Sequence, residues 1–100
     1  TTLFRSVAIR GTHVLQARDD AAATRLAAKF TEPSADSEPG PTVPGLPSAR
    51  CMRKDPRGPY QTAQFWCAVT VDRVVFENSS SNENDVKQKL AAGYLMLTAP

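Results

Sequence analysis

Residues 49–77, ARCMRKDPRGPYQTAQFWCAVTVDRVVFE, contain the strongest strand signals in this chain. Aromatic and β-branched residues are concentrated at 64–70 and at 74–77, and a shorter run opens the stretch, which together predict three strands. A loop rich in proline and glycine at 55–59 joins the first two strands, and a tight connection at 71–73 joins the last two. The stretch therefore predicts an antiparallel meander at the centre of the fold.

Two cysteines lie in this meander. With the loop tip near Pro59, Cys51 in the first strand (residues 49–54) directly faces Cys67 in the second. Paired Cα atoms of neighbouring antiparallel strands are about 4.5–5.5 Å apart, which is within disulfide reach. An even number of cysteines in a short chain favours a structural disulfide in an oxidising compartment, with two buried free thiols as the alternative.

The same register leaves open which face of the meander is the core. It places Arg53 on the same face as Phe65, and an unpaired charge does not suit a core. Either a bulge shifts the strand, or the opposite face, with Met52, Trp66 and Ala68, packs against the helices.

The N-terminal third predicts a hairpin followed by a helix. Residues 3–17 form the hairpin, and a two-residue turn at 11–12 begins with glycine. Asp19 or Asp20 then caps an alanine-rich helix that ends near Phe30.

The C-terminal quarter predicts a second helix. Ser80 and Glu83 have the spacing of a capping box at its start. Gly93 interrupts the helix, and a residue without a side chain there would let the helix sit close to the sheet. Apolar residues recur at helical spacing and define its buried face: Val86, Leu90, Tyr94 and Leu97.

Residues 31–47 predict an irregular loop, because five of the eight prolines lie there. Its first part is expected to be solvated, and the apolar run at 43–47 is expected to pack as an ordered turn. The element order is ββαβββα. It predicts a single α+β domain over residues 1–100, a two-layer sandwich in which both helices cover one face of an antiparallel sheet of about five strands.

Composition excludes several functional classes. The 100 residues are 41% hydrophobic and carry a net charge of +2, which is too weakly basic to predict a nucleic-acid partner. The sequence has no apolar run of about 18 residues, so we predict no transmembrane segment in this chain. His13 is the single histidine, so we predict no metal site and no cofactor. The start at Thr1, without a signal peptide, is expected of a mature or trimmed fragment.

One basic cluster marks the candidate binding surface. Its members are Arg50, Arg53, Lys54 and Arg57, and Trp66 lies on the neighbouring strand. Such a cluster can contact an anionic lipid, a glycan or an acidic protein. The alternative is a solvated strand edge whose charges discourage edge-to-edge pairing.

No catalytic residue is predicted. His13 is the one side chain that titrates near neutral pH, but its own segment supplies no nucleophile or carboxylate. Two carboxylate pairs, Asp19 with Asp20 and Glu83 with Asp85, lie at predicted helix starts, where they are explained as caps. We therefore predict that the protein is not an enzyme.

Several segments together resemble a known family. They are residues 18–19 before the first helix, VPGLP at 43–47, ARC at 49–51, Cys67 in the next strand, and LAAGYL at 90–95. Over nearly the whole chain they are similar to the C-terminal domain of mycobacterial and related actinobacterial lipoproteins of unknown function. The resemblance implies an exported, lipid-anchored envelope protein with a larger domain ahead of this one. It also implies that the two cysteines pair, and it supplies no catalytic residues.

These observations lead to one functional hypothesis and one alternative. We expect a non-catalytic, extracytoplasmic module of the cell envelope that binds its preceding domain or another envelope protein. The alternative is a carrier or sensor for an envelope lipid or glycan, which would lie in a closed apolar pocket between sheet and helices. Val86, Leu90 and Tyr94 would line that pocket.

Overall fold

The computed structural model describes residues 3–9, 11–46, 48–56 and 58–98. Within these ranges the chain forms six strands and two helices. In chain order they are β1 (Leu3–Ile9), β2 (Thr12–Ala17), α1 (Asp20–Phe30), β3 (Glu38–Pro39), β4 (Arg50–Lys54), β5 (Gln64–Val71), β6 (Val74–Ser80) and α2 (Glu83–Thr98). The α+β class and the order of the predicted elements are confirmed, and the two-residue β3 is an addition to them.

The described strands form one antiparallel sheet in the order β1-β2-β6-β5-β4-β3. The predicted meander is its β4-β5-β6 portion, and the predicted register is confirmed, since Cys51 pairs with Cys67 and Arg53 with Phe65. β2 pairs with β6 and so joins the N-terminal hairpin to the meander. One continuous sheet therefore positions every candidate site.

The first hairpin turns one residue earlier than predicted. Ile9 pairs with Thr12, so Thr12 belongs to β2 and not to the turn. Gly11 has a φ of +78°, and its carbonyl oxygen accepts a 2.8 Å hydrogen bond from the amide of Ser79. A Cβ on Gly11 would lie 2.7 Å from the Ser79 carbonyl oxygen. Glycine is therefore required both by the backbone conformation and by the contact with β6.

The two helices pack on opposite faces of the sheet. Val75 of β6 belongs to a cluster with α1, whereas its neighbour Phe76 belongs to a second cluster with α2. Because consecutive strand residues point to opposite faces, the helices lie on opposite sides, and the described residues show no contact between them. The predicted placement of both helices on one face is therefore wrong, and the architecture has three layers.

Both faces of the central strands are apolar, which is the physical reason for the third layer. A sheet that is apolar on both sides must be covered on both sides. The residues buried along β5 and β6 include Cys67, Ala68, Val69, Val75 and Phe76. The open question of which face of the meander is the core is thus settled, because both faces are.

Asp19, the first of the two predicted alternatives, caps α1. The Asp19 carboxylate accepts a 2.7 Å hydrogen bond from the amide of Ala22. Ala22 and Ala23 are fully buried and pack with Ala17 and Val75. These small side chains let α1 lie close to the sheet.

α2 begins with a different cap from the predicted box of Ser80 and Glu83. Asn82 is the capping residue, since its Oδ1 accepts a 2.9 Å hydrogen bond from the amide of Asp85. Ser80 ends β6, where it pairs with Phe65, so the strand extends beyond the predicted limit of residue 77. Strand pairing with β5 therefore holds the backbone of Ser80 in β6, and Asn82 takes the capping position in its place.

The apolar run of the proline-rich loop is ordered, as predicted. Val43 and Leu46 are buried in the α2 cluster. The Leu46 amide donates a 3.1 Å hydrogen bond to the Val43 carbonyl oxygen, and Gly45 has a φ of +81°. With Pro44 ahead of it, this is a type II turn. Pro47 lies outside the described residues.

Candidate functional site

A disulfide joins the centres of β4 and β5. Cys51 and Cys67 are bonded and directly paired, with their Cα atoms 4.0 Å apart. The Cys51 carbonyl oxygen accepts a 2.9 Å hydrogen bond from the amide of Gly40, so its backbone groups point away from β5. Such a non-hydrogen-bonded pair brings the two Cα atoms closest together. The predicted disulfide is therefore present, and Cys67 is fully buried.

The predicted basic surface is divided between the two faces of the sheet. Alternation along β4 places Arg53 on the α2 side and both Arg50 and Lys54 on the α1 side. Arg53 Nη2 lies 2.7 Å from Oε2 of Glu38 in β3, and this hydrogen bond raises the pKa of the guanidinium. Arg57 lies outside the described residues. The described members of the cluster thus do not form a single patch.

Trp66 lies on the same face as Arg50 and Lys54 but is half-buried. Its strand partner Met52 is buried as well. Phe65, which points to the other face, packs against the α2 cluster. Both aromatic side chains of β5 therefore contribute to packing, and Trp66 offers only part of its ring for a contact.

A different set of basic side chains converges on the α1 side. Arg25 and Lys29 of α1 and Arg50 of β4 line an open groove with a volume of about 390 Å³, which we call the α1–β4 groove. Its remaining lining residues are Ala28, Glu32 and Pro33. Within the described part of the chain, none of the three basic side chains forms an ion pair or a hydrogen bond. Arg50 belongs to the predicted surface, and the i,i+4 spacing of the other two on a predicted helix is the signal that could have identified them.

His13 has a carboxylate partner from another strand. Glu77 lies directly opposite on β6, and its Oε1 is 3.5 Å from His13 Nδ1. Burial raises the pKa of Glu77, while the hydrogen bond and charge of His13 act in the opposite direction. His13 is half-exposed and lines none of the cavities described for this structure. The described residues therefore pair His13 with a carboxylate but show no substrate cavity lined by it.

The second candidate carboxylate pair stabilises α2. Glu83 lies 3.8 Å from Lys87 and Asp85 lies 3.0 Å from Lys89, both at i,i+4 spacing. Hydrogen bonds from Ser80 and then from Lys89 lower the pKa of Asp85. Both carboxylates form ion pairs with lysines of their own helix, which is a structural role and not an arrangement for acid–base catalysis.

The amide of Asn78, which begins an N-glycosylation triplet, is inaccessible. Asn78 is fully buried, and its Nδ2 donates a 2.6 Å hydrogen bond to Oγ1 of Thr12. A transferase could not reach this nitrogen in the folded chain. The described residues also contain no cluster of metal-binding side chains and no helix that could cross a bilayer.

The interface between α2 and the sheet is closely packed. Val86 and Leu90 are fully buried, and Gly93 lies so close to Phe76 that an added Cβ would overlap the ring. None of the described cavities is lined by Val86, Leu90 or Tyr94. This packing gives no support to the alternative of a lipid or glycan carrier with its pocket at this position.

The outer side of α2 is apolar towards the C-terminal end of the helix. Leu95 is 68% exposed and Met96 is 80% exposed, and Ala92 is exposed beside them. No charged residue occurs in the part of the helix from 90 to 98. We call Ala92, Leu95 and Met96 the α2 end surface. Grouped exposed apolar side chains are typical of contact surfaces.

Comparison with known proteins relates the chain to an uncharacterised family. A family model described as "Domain of unknown function (DUF7373) C-terminal" matches residues 1–99. No curated protein and no solved structure matches the chain.

Proposed function

Because the chain belongs to the DUF7373 C-terminal family, whose function is unknown, we propose that it is a non-catalytic module that docks onto a domain preceding it in the same protein. The description of the family as a C-terminal part supports a partner on the N-terminal side. The α2 end surface is the contact that the module offers to that partner.

The exposure of Leu95 and Met96 is the observation that carries this proposal. These side chains are 68% and 80% exposed, although each is large and apolar. Burying such a side chain contributes about 1.5–3 kcal/mol of free energy, so a partner that covers both side chains binds more tightly. Residues 90–98 of the same helix include no charged side chain, which fits the core of an interface, where charged residues are depleted.

We also propose an extracytoplasmic, cell-envelope location for the module. The disulfide between Cys51 and Cys67 is compatible with it, because such bonds persist in oxidising compartments. The lipid-anchored protein that the sequence resemblance implies belongs to the same compartment.

Oxidation of methionine in the full-length protein tests the docking. The chain has two methionines, Met52 buried in the sheet and Met96 on the α2 end surface. We expect hydrogen peroxide to oxidise Met96 slowly in the wild type. Leu95→Asp should accelerate this oxidation about tenfold, which corresponds to about 1.4 kcal/mol of docking free energy. Peptide mass spectrometry measures both methionines in the same sample.

Tyr60→Asp is the matched control, because Tyr60 is 98% exposed and belongs to the loop between β4 and β5. It should leave the oxidation of Met96 unchanged. The slow oxidation of Met52 in every variant would show that the fold is intact. Rapid oxidation of Met96 in the wild-type full-length protein would contradict docking onto the preceding domain.

A further inference from the structure

We propose that the α1–β4 groove binds a ligand that carries a phosphate group. This inference goes beyond the proposed docking function and rests on different residues. The groove and the α2 end surface lie on opposite faces of the sheet, because α1 and α2 do. The two surfaces can therefore be occupied at the same time.

The charge of the groove favours an anion. Arg25, Lys29 and Arg50 contribute three positive charges, and Glu32 contributes one negative charge. The nearby C-terminal end of α1 adds about half a negative charge from the helix dipole. The groove consequently keeps a net positive charge, which an anion with at least two negative charges would neutralise.

Among the described residues, the three cations also have no partners of their own. Elsewhere on the chain, Arg53 pairs with Glu38, and Lys89 pairs with Asp85. The groove cations make no such contact within the described residues. An incoming anion would therefore form new ion pairs without breaking existing ones.

The arrangement of the donors indicates a phosphate. The two arginines come from different elements and face one groove, and a planar guanidinium matches the oxygens of a phosphate in a bidentate manner. The lysine supplies a third, more flexible donor. An adjoining cavity of about 110 Å³ shares Ala28 and Arg50 with the groove and is lined by the hydroxyl residues Ser48 and Thr70. These hydroxyls could hold polar groups next to the phosphate.

The test uses two probes, because a phosphate can come from a soluble compound or from a lipid headgroup. Pyrophosphate is titrated into the full-length protein at low salt by calorimetry. Vesicles of phosphatidylglycerol are tested by co-sedimentation, with phosphatidylcholine vesicles as the neutral control. Binding of either anionic probe that depends on Arg50 supports the proposal, and the probe that binds identifies the source.

The variants distinguish binding in this groove from a general effect of the net charge of the protein. Arg50→Gln should weaken binding about tenfold, because one charge-assisted hydrogen bond is lost. Glu32→Gln should strengthen it, since the opposing charge is removed. Arg53→Gln is the matched control, with the same change on the same strand but on the opposite face, and it should have little effect. Equal effects of Arg50→Gln and Arg53→Gln, or no binding of either probe, would overturn the proposal.

Discussion

Gly93 is the residue that sets the distance between α2 and the sheet. The Phe76 ring occupies the position that a Cβ on residue 93 would need. Glycine inside a helix costs about 1 kcal/mol relative to alanine. The close contact with Phe76 explains why this position is nevertheless a glycine.

We expect Gly93→Ala to lower the free energy of unfolding by about 1–3 kcal/mol, because the added methyl group overpacks the core. Urea denaturation measures the difference. Gly58→Ala is the control, since a Cβ there meets nothing within 4 Å, and it should change stability by less than about 0.5 kcal/mol. A Gly93→Ala protein as stable as the wild type would show that α2 does not lie this close to Phe76.

At the scale of the element, the start of α2 depends on Asn82. Its side chain satisfies the amide of Asp85, one of the amides that a helix start leaves without a partner. The competing residue, Ser80, is held in β6 by pairing with β5.

Asn82→Ala should therefore lower the free energy of unfolding by about 1 kcal/mol, the usual effect of losing an N-cap. Thermal or urea unfolding provides the measurement. Asn84→Ala makes the same chemical change within the first turn of α2, at an exposed position, and should change stability by less than about 0.5 kcal/mol. Equal losses in the two variants would mean that Asn82 does not cap the helix.

β4 places residues that are close in sequence on opposite faces of the sheet. Arg50 and Arg53 belong to one basic run, but the pleat sends them to opposite faces. Arg53 meets Glu38 at the sheet edge, and Arg50 meets the basic side of α1. Two basic residues from one run of sequence thus have different roles, because Arg53 forms an ion pair and Arg50 lines the α1–β4 groove.

For the molecule as a whole, the disulfide links β4 to the buried strand β5. Cys67 lies in the α2 cluster, and Cys51 packs against that cluster from β4. A chain of about 100 residues buries only about two-thirds of its unfolded surface, so a covalent link contributes a large share of its stability.

The double substitution Cys51→Ala and Cys67→Ala should lower the free energy of unfolding by about 3 kcal/mol, as the chain-entropy account gives for a short loop. The sequence separation of the two cysteines is 16 residues. Urea denaturation of wild type with and without reductant supplies the comparison, and reduced wild type should resemble the double variant. Equal stability of the oxidised wild type and the double variant would contradict this role.

The local parts of the structure can be predicted from the amino-acid sequence. The sequence predicted the three strands of the meander, the pairing of Cys51 with Cys67 and an aspartate cap at Asp19 or Asp20, and the structure confirms the strands and the pairing and places the cap at Asp19. The predicted ordered turn is confirmed over its described part, residues 43–46. These features depend on neighbours along the chain or across one hairpin. Patterns of hydrophobicity, turn residues and capping residues therefore carry enough information to specify them.

The face of the sheet that each helix covers depends on long-range packing, and so do the side-chain contacts between elements. The pairing of β2 with β6 brings Glu77 beside His13, and the packing of α1 brings Arg25 to Arg50. Such contacts join residues far apart in sequence, and they follow from burying both apolar faces of one sheet. The apolar runs of β5 and β6 indicate that both faces of the sheet need cover, but which helix covers which face depends on the strand order of the whole sheet.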